Sequence, residues 1–211
     1  AWEWLEQIMF PKLRFAYNVC ESIAKIYTEK YGVPFLVVRN VPLAGVVHGK
    51  KENRETGKMI LYQGAVNTGR GLEQAIRAMN FVENARLVIA GGGDIKTNLE
   101  KLVKKENLLA KVTFTGRLPL EELARLTPQA DLGLSIEEDL GLNYRFALPN
   151  KLFDYIQAQV PVLITNLPEM AAIVNRYQIG EITTSLEPQF LAEKITDALH
   201  NSEKRKLWKR N

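Results

Sequence analysis

From Met59 onward, short aliphatic and β-branched runs alternate with amphipathic stretches. The runs fall at 59–63 (MILYQ), 86–90 (RLVIA), 112–115 (VTFT), 131–135 (DLGLS), 161–165 (PVLIT) and 180–183 (GEIT). Between them, 71–80, 96–106, 119–127, 149–158, 168–176 and 188–200 carry apolar residues at helical spacing. Strands and helices alternating at this interval predict βαβ units and a parallel sheet covered on both faces. Right-handed crossovers then make the fold class α/β, a doubly wound, Rossmann-like parallel sheet. Upstream, 1–31 reads as helix, with Leu13, Tyr17, Cys20, Ile23, Ala24 and Tyr27 three or four apart and Gly32 and Pro34 as the stop. Residues 35–38 read as extended, and the polar stretch 48–58 as a loop or linker.

A chain of 211 residues accommodates one sizeable α/β domain with some additional helix, and not two full domains. No run approaches the roughly 18 apolar residues of a membrane span, and no basic leader precedes an apolar run at the start. The chain begins with Ala1 and not Met, as expected for a piece of a longer protein. Cys20 is the single cysteine, which excludes an internal disulfide and points to a reducing, cytoplasmic compartment. It reads as a small buried apolar residue rather than a nucleophile. A net charge of +4 gives no uniform basic face for nucleic acid. Lys204, Arg205, Lys206, Lys209 and Arg210 crowd the tail. They read first as a solvated helix end. The sharper reading is a peripheral contact with anionic lipid at the inner membrane face, anchored by Trp208.

In a doubly wound sheet, ligands sit at the C-terminal strand ends, where strand order reverses. The unusual residues of this chain follow the strands. After the first run comes Gly64-Ala65-Val66-Asn67-Thr68-Gly69-Arg70-Gly71 and then a helix. Its glycines let backbone approach a ligand, the helix start offers N–H groups to an anion, and Arg70 adds a fixed charge suited to phosphate. After the second run, Gly91-Gly92-Gly93-Asp94 places more bare backbone at the same edge, but the dinucleotide spacing G-x-G-x-x-G fails there. No Gly-Lys-Ser/Thr of a Walker loop exists. The third run ends in Thr115-Gly116-Arg117. Then Leu148-Pro149-Asn150-Lys151 opens a helix in which Pro149 suits the first turn, and Asn150 and Lys151 stand where the orphan N–H groups point. Asp154, one turn on, is a carboxylate able to accept two hydrogen bonds from a ribose diol.

The order of these motifs resembles a known family. Gly-turn with Arg-Gly, V-T-F-T-G-R, A-D-L-G-L-S, P-N-K-L-F-D-Y and P-V-L-I-T follow one another as in the C-terminal, donor-binding domain of retaining glycosyltransferases of the GT-B fold, the large family-four group. The similarity runs over about residues 59–185. It implies that Arg70 is the cation of the family's phosphate pair, that Asp154 holds the ribose, and that Gly116 and Arg117 contact the base. Gly64, Gly71, Gly92 and Asn150 complete the expected nucleotide site. The family's Arg after the first glycine is here Ala65, with Lys151 the candidate replacement. Phe146 stands eight before Asp154, where the family has its first glutamate, so that residue is either lost or displaced to Glu138.

The resemblance implies an enzyme part that binds a nucleotide-sugar, a UDP-sugar by preference, while Arg70 and Lys151 stabilise the departing diphosphate electrostatically. No cofactor and no metal are expected; the acidic run 137–139 lacks complementary ligands, and His48 and His200 lie elsewhere. The implied organisation is a helical connection at 1–34, a donor-binding domain at 35–201 and a crossing helix at 202–211. The acceptor, a sugar or lipid-linked sugar, would be held by an N-terminal domain outside these residues. The alternatives are a sugar-nucleotide epimerase of the same fold and a non-catalytic nucleotide-binding domain, to which Ala65 and Phe146 lend weight. A nicotinamide dehydrogenase lacks both its fingerprint and the acidic residue that follows it.

Overall fold

A computed structural model describes residues 2–42 and 57–210; most of the expected linker at 48–58 lies outside the described residues. The chain divides into two compact units, Ala1–Val41 and Pro42–Asn211.

The first unit corrects the expectation of one helix over 1–31. It contains α1 (Trp2–Met9), a single 3-10 turn, β1 (Ala16–Asn18), α2 (Glu21–Tyr31) and β2 (Phe35–Val37). Pro11 lies in the 3-10 turn, where its missing N–H and fixed φ end the helical ladder. Gly32, at φ 69°, does stop α2, and its N–H donates to the Thr28 carbonyl. β1 and β2 pair in parallel, Ala16 opposite Phe35. The 35–38 segment therefore belongs to this unit, and the division falls after Val41, not after residue 34. Phe10, Tyr27, Tyr31 and Phe35 form its aromatic centre, with ring centroids 4.9–5.9 Å apart. Cys20 is fully buried.

The second unit carries the expected rhythm, its strands within one residue of the apolar runs. In chain order it contains β3 (Lys58–Gln63), α3 (Leu72–Ala78), β4 (Ala85–Ala90), α4 (Lys96–Lys105), β5 (Val112–Gly116), α5 (Leu120–Leu126), β6 (Leu132–Ser135), α6 (Leu142–Arg145), α7 (Asn150–Gln157), β7 (Val162–Thr165), α8 (Pro168–Tyr177), β8 (Gly180–Thr183), α9 (Pro188–His200) and α10 (Ser202–Arg210). The six strands are all parallel, in the order β5-β4-β3-β6-β7-β8. Alternate residues of β3 enter two cores. Ile60 and Tyr62 pack with Leu72, Ile76, Leu191 and Ile195 on one face, and Met59 and Leu61 with Leu152, Tyr155 and Met170 on the other. That is why β3 reads as a continuous apolar run.

Strand order reverses between β3 and β6. Their pairing covers only Ile60↔Leu132 and Leu61↔Gly133. Above it, the Tyr155 hydroxyl lies between the strands: it donates to the Leu61 carbonyl at 3.0 Å, has the Leu134 carbonyl at 3.4 Å, and accepts from the Gln63 N–H at 3.2 Å. Gly133 makes room for the ring, since a Cβ there would come within 2.6 Å of it.

The tail also departs from one expectation. Trp208 is buried against the core, so it cannot anchor in a membrane interface. An indole packed on apolar neighbours gains more than one left in water. Arg205 donates to the Asp131 carbonyl at 3.0 Å and pairs with its carboxylate at 3.3 Å, while Lys204 pairs with Asp197 at 2.7 Å and Glu181 at 3.0 Å. Among the described residues, no helix is long and apolar enough to cross a membrane.

Replacing Tyr155 by Phe strips a buried carbonyl and a buried N–H of their shared partner. The expected loss is about 1–3 kcal/mol of unfolding free energy, read from urea denaturation, with native far-UV circular dichroism retained.

Candidate functional site

The site lies at the C-terminal ends of β3 and β6, where the sheet order reverses, and it begins with backbone. Past β3 the chain turns through Gly64 (φ 131°) and reaches α3 through Gly71 (φ 67°). Both angles disfavour side chains. The turn lies flat on the turn after β4: the Gly64 N–H donates to the Ala90 carbonyl at 3.0 Å and the Val66 N–H to the Gly92 carbonyl at 3.1 Å. A Cβ on Gly91 would collide with the Gly64 carbonyl oxygen, and one on Gly71 with that of Ile136. Gly92 lies under the Arg117 side chain, whose Cγ and Nε would sit 3.1 Å from an added Cβ. Gly116 ends β5 at φ 75° with open space around it, and Arg117 is exposed.

Charge enters from two elements and meets on a third. Arg70, in the β3–α3 turn, places its guanidinium 3.6 Å from Glu137 Oε1. Lys151, in the first turn of α7, places Nζ 2.7 Å from the same oxygen. Glu137 follows β6 and has no exposed surface. The ammonium is within hydrogen-bond reach of Oε1 but off the direction a hydrogen bond prefers, so charge, rather than a directed donor, holds that oxygen. Oε2 accepts from the Ser135 hydroxyl at 2.9 Å, and the Glu137 carbonyl accepts from Thr165 at 2.7 Å. Burial alone would raise the Glu137 carboxyl. The Lys151 ammonium and the Ser135 hydroxyl outweigh it and hold the group below its ordinary range. Aromatic rings back both cations, with Tyr62 4.1 Å from Lys151 Nζ and Tyr144 5.6 Å from the Arg70 guanidinium carbon.

Asp154, one turn along α7 from Lys151, accepts from Gln63 Nε2 at 2.8 Å, and the buried Gln63 is itself fixed by the Thr127 hydroxyl at 2.8 Å. Partial burial raises the Asp154 carboxyl, against the opposing effect of Gln63. Asn150 is exposed at the first position of α7. Glu138 donates its N–H to the Gly69 carbonyl at 2.9 Å and borders the same cleft as Arg70.

The structure thus gathers Arg70, Lys151, Asp154, Asn150 and the Gly64–Gly71 turn at one sheet edge. Gly92 and Arg117 lie together beside them. The residue that sequence reasoning passed over is Glu137, which it weighed only as part of an acidic run. The structure splits that run, for Asp139 pairs with Arg145 at 2.9 Å. One signal was available: Ser135 and Glu137 are two apart at the end of an apolar strand, on one face of extended chain. The short α6, which brings Tyr144 over Arg70, carried none.

Glu137→Gln is expected to cost about 3 kcal/mol at pH 7, because it leaves a buried ammonium without its counter-charge. A carboxyl lowered in the folded state contributes stability that is complete above its unfolded value of about 4.5 and is lost as pH falls through the folded value. Urea midpoints between pH 7 and pH 3 should therefore converge for wild type and variant as acidity increases. A gap that stays constant would contradict the ion pair.

Comparison with known proteins gives the family and the fold. Residues 47–211 match the family described as Glycosyl transferases group 1. A Methanocaldococcus jannaschii protein, described as an uncharacterized glycosyltransferase (MJ1607), is 31% identical over 122 residues, covering 56% of this chain and 29% of that protein. Anabaena HepE, solved in complex with UDP-glucose, superposes with a TM-score of 0.80 at 13% identity, over 98% of this chain and 60% of that one. WaaG, a glycosyltransferase involved in lipopolysaccharide biosynthesis, gives a TM-score of 0.75 at 18% identity, over 92% and 56%. Sucrose-phosphate synthase from Thermosynechococcus elongatus gives 0.77 at 17%, over 98% and 54%. This chain spans little more than half the length of these solved structures and under a third of the M. jannaschii protein.

Proposed function

This chain belongs to the glycosyl transferases group 1 family, and from that premise we propose that it binds the nucleotide-sugar donor for a transfer that retains configuration at the anomeric carbon. The observation that carries the reading is the convergence of Arg70 and Lys151 on one buried carboxylate at the strand-order reversal. Two cations that share one anion keep a net positive charge, and a diphosphate supplies the rest. The Arg70 side chain is 29% exposed, enough for a ligand to reach it.

In this reading Arg70, Lys151 and the free N–H groups that open α7 stabilise the nucleoside diphosphate as the bond to the sugar breaks. Asp154, its carboxylate set by Gln63, accepts from the ribose hydroxyls. Gly92, Gly116 and Arg117 meet the base, and Glu138 stands toward the sugar. UDP is the expected nucleotide, and the similarity of fold to HepE, solved with UDP-glucose, supports that choice. The acceptor is assigned to a second domain of the whole enzyme, so the 211-residue chain alone should bind donor without transferring sugar. An epimerase would need histidine beside the sugar. The only histidine among the described residues, His200, instead sits in the last turn of α9 with Nδ1 2.9 Å from the Thr196 carbonyl.

Asp154→Ala is expected to weaken UDP binding by about 1.5–3 kcal/mol, the range for a hydrogen bond to a charged group. Calorimetry with UDP and its 2′-deoxy analogue checks this: the wild type should prefer the ribonucleotide and the variant should not. Excess EDTA should leave the wild-type affinity unchanged. Collapse on chelation would move the 137–139 run into the site and overturn the metal-free assignment.

A further inference from the structure

We propose that Thr127 and Gln63, two buried residues that no ligand can reach, set the preference of the nucleotide site for ribose over deoxyribose by fixing the carboxylate of Asp154. The inference rests on the donor-binding reading above and adds the residues that position its ribose contact. Gln63 ends β3 with 2% of its surface exposed, and Thr127, in the 3-10 turn Thr127–Gln129 that follows α5, has 4%. A glutamine shut in a core is costly unless both ends of its amide are satisfied. Here Nε2 donates to Asp154 Oδ2 at 2.8 Å, and Oε1 accepts from the Thr127 hydroxyl at 2.8 Å. The Gln63 N–H also donates to the Tyr155 hydroxyl at 3.2 Å. One residue of β3 is thereby tied to two consecutive residues of α7.

The direction of this relay follows from its protons. The Thr127 hydroxyl carries a single one, and both Gln63 Oε1 and the Leu123 carbonyl lie 2.8 Å from it. The Leu123 carbonyl already accepts the Thr127 backbone N–H, so the hydroxyl proton is left for Gln63. That proton fixes which way the amide points. Turned over, Gln63 would set its own oxygen 2.8 Å from a carboxylate oxygen, a contact that repels. Asp154 is therefore held at Oδ2 through a single lone pair. A carboxylate offers about four acceptor positions, and the others meet a diol in one fixed plane. Without the bond from Gln63, the soft terminal torsion of an aspartate would let the carboxylate turn toward whatever sugar is present. A site rejects a ligand that lacks a hydroxyl by leaving its own polar group unpaired, which requires that the group cannot relax onto another partner. Asp154 is half-buried, which sharpens that penalty.

Calorimetric titration of the full chain with UDP, 2′-deoxy-UDP and uridine tests this. The wild type should prefer UDP to its deoxy analogue by about tenfold or more. Thr127→Val, which keeps the shape and removes the hydroxyl, should narrow that preference to about threefold or less, and Thr127→Ser should retain it. Gln63→Met, which removes the amide at similar length, should narrow it to the same extent. The ratio of UDP to uridine affinity should stay at its wild-type value in all three variants, because the diphosphate contacts lie elsewhere. A full ribose preference in folded Thr127→Val or Gln63→Met would overturn the inference. So would a parallel fall in the UDP-to-uridine ratio, the mark of a merely structural role. Asp154→Ala separates the two levels. If it loses the ribose preference while Thr127→Val and Gln63→Met keep it, only the relay falls; if it keeps the preference, the ribose assignment falls and takes the relay with it. The two variants break the relay at different links, so either one that folds decides the matter.

Discussion

A carboxylate shut away from water is costly unless positive charge meets it, and in this chain everything at the functional edge is arranged around Glu137. The Ser135 hydroxyl reaches it from β6 and Lys151 from α7, Arg70 comes from the turn after β3, and Thr165 ties its carbonyl to the end of β7. Four separate segments are thereby held in register by one residue, three through its carboxylate and one through its backbone carbonyl. Ion pairs of this kind add little net stability, since desolvation cancels much of the attraction. What they fix is position. Two cations held ready on a rigid floor are what a leaving diphosphate requires, because stabilisation that needs no rearrangement is available at the moment charge develops.

The sheet provides the place for this cluster. Strand order reverses between β3 and β6, the two strands pair over only two residues, and the Tyr155 hydroxyl fills the gap above them. The cleft beside Arg70 is bordered by the turn that follows β3 and by Glu138, which follows β6. Gly133 admits the ring, and the glycines at 71 and 91 let neighbouring turns touch backbone to backbone. α7 then supplies Lys151, Asp154 and Tyr155 within two turns, so one helix sets the buried ion pair, the carboxylate proposed to hold the ribose and the strand wedge together.

Much of this was legible in the sequence, for identifiable reasons. Strands buried on both faces read as unbroken apolar runs and their helices as 3.6-residue stripes, so the second unit emerged with strand bounds within one residue. Arg70, Lys151 and Asp154 stood out because strand ends in such a sheet carry ligands. The first 31 residues were misread because helical spacing at Tyr17, Cys20 and Ala24 also accommodates a three-residue strand followed by a helix, and only tertiary pairing with Phe35–Val37 decides between them. Glu137 was passed over because its one signal, the two-residue offset from Ser135 at the end of an apolar strand, is weak beside two further adjacent acids, and only the fold shows which of the three is buried. The alternative reading of Trp208 as a membrane anchor fails for the converse reason. A tryptophan among five basic residues suits a membrane surface as well as a core, and only the contacts of α10 distinguish them.

The central claim is that the convergence of Arg70 and Lys151 marks a diphosphate site. Titration of the chain with UDP and with uridine, in EDTA and at fixed salt, addresses it most directly. Two charge-assisted contacts of about 1.5–3 kcal/mol each make UDP bind on the order of a hundredfold or more tighter than uridine, with affinity falling as salt rises. Equal affinities for UDP and uridine would contradict the assignment.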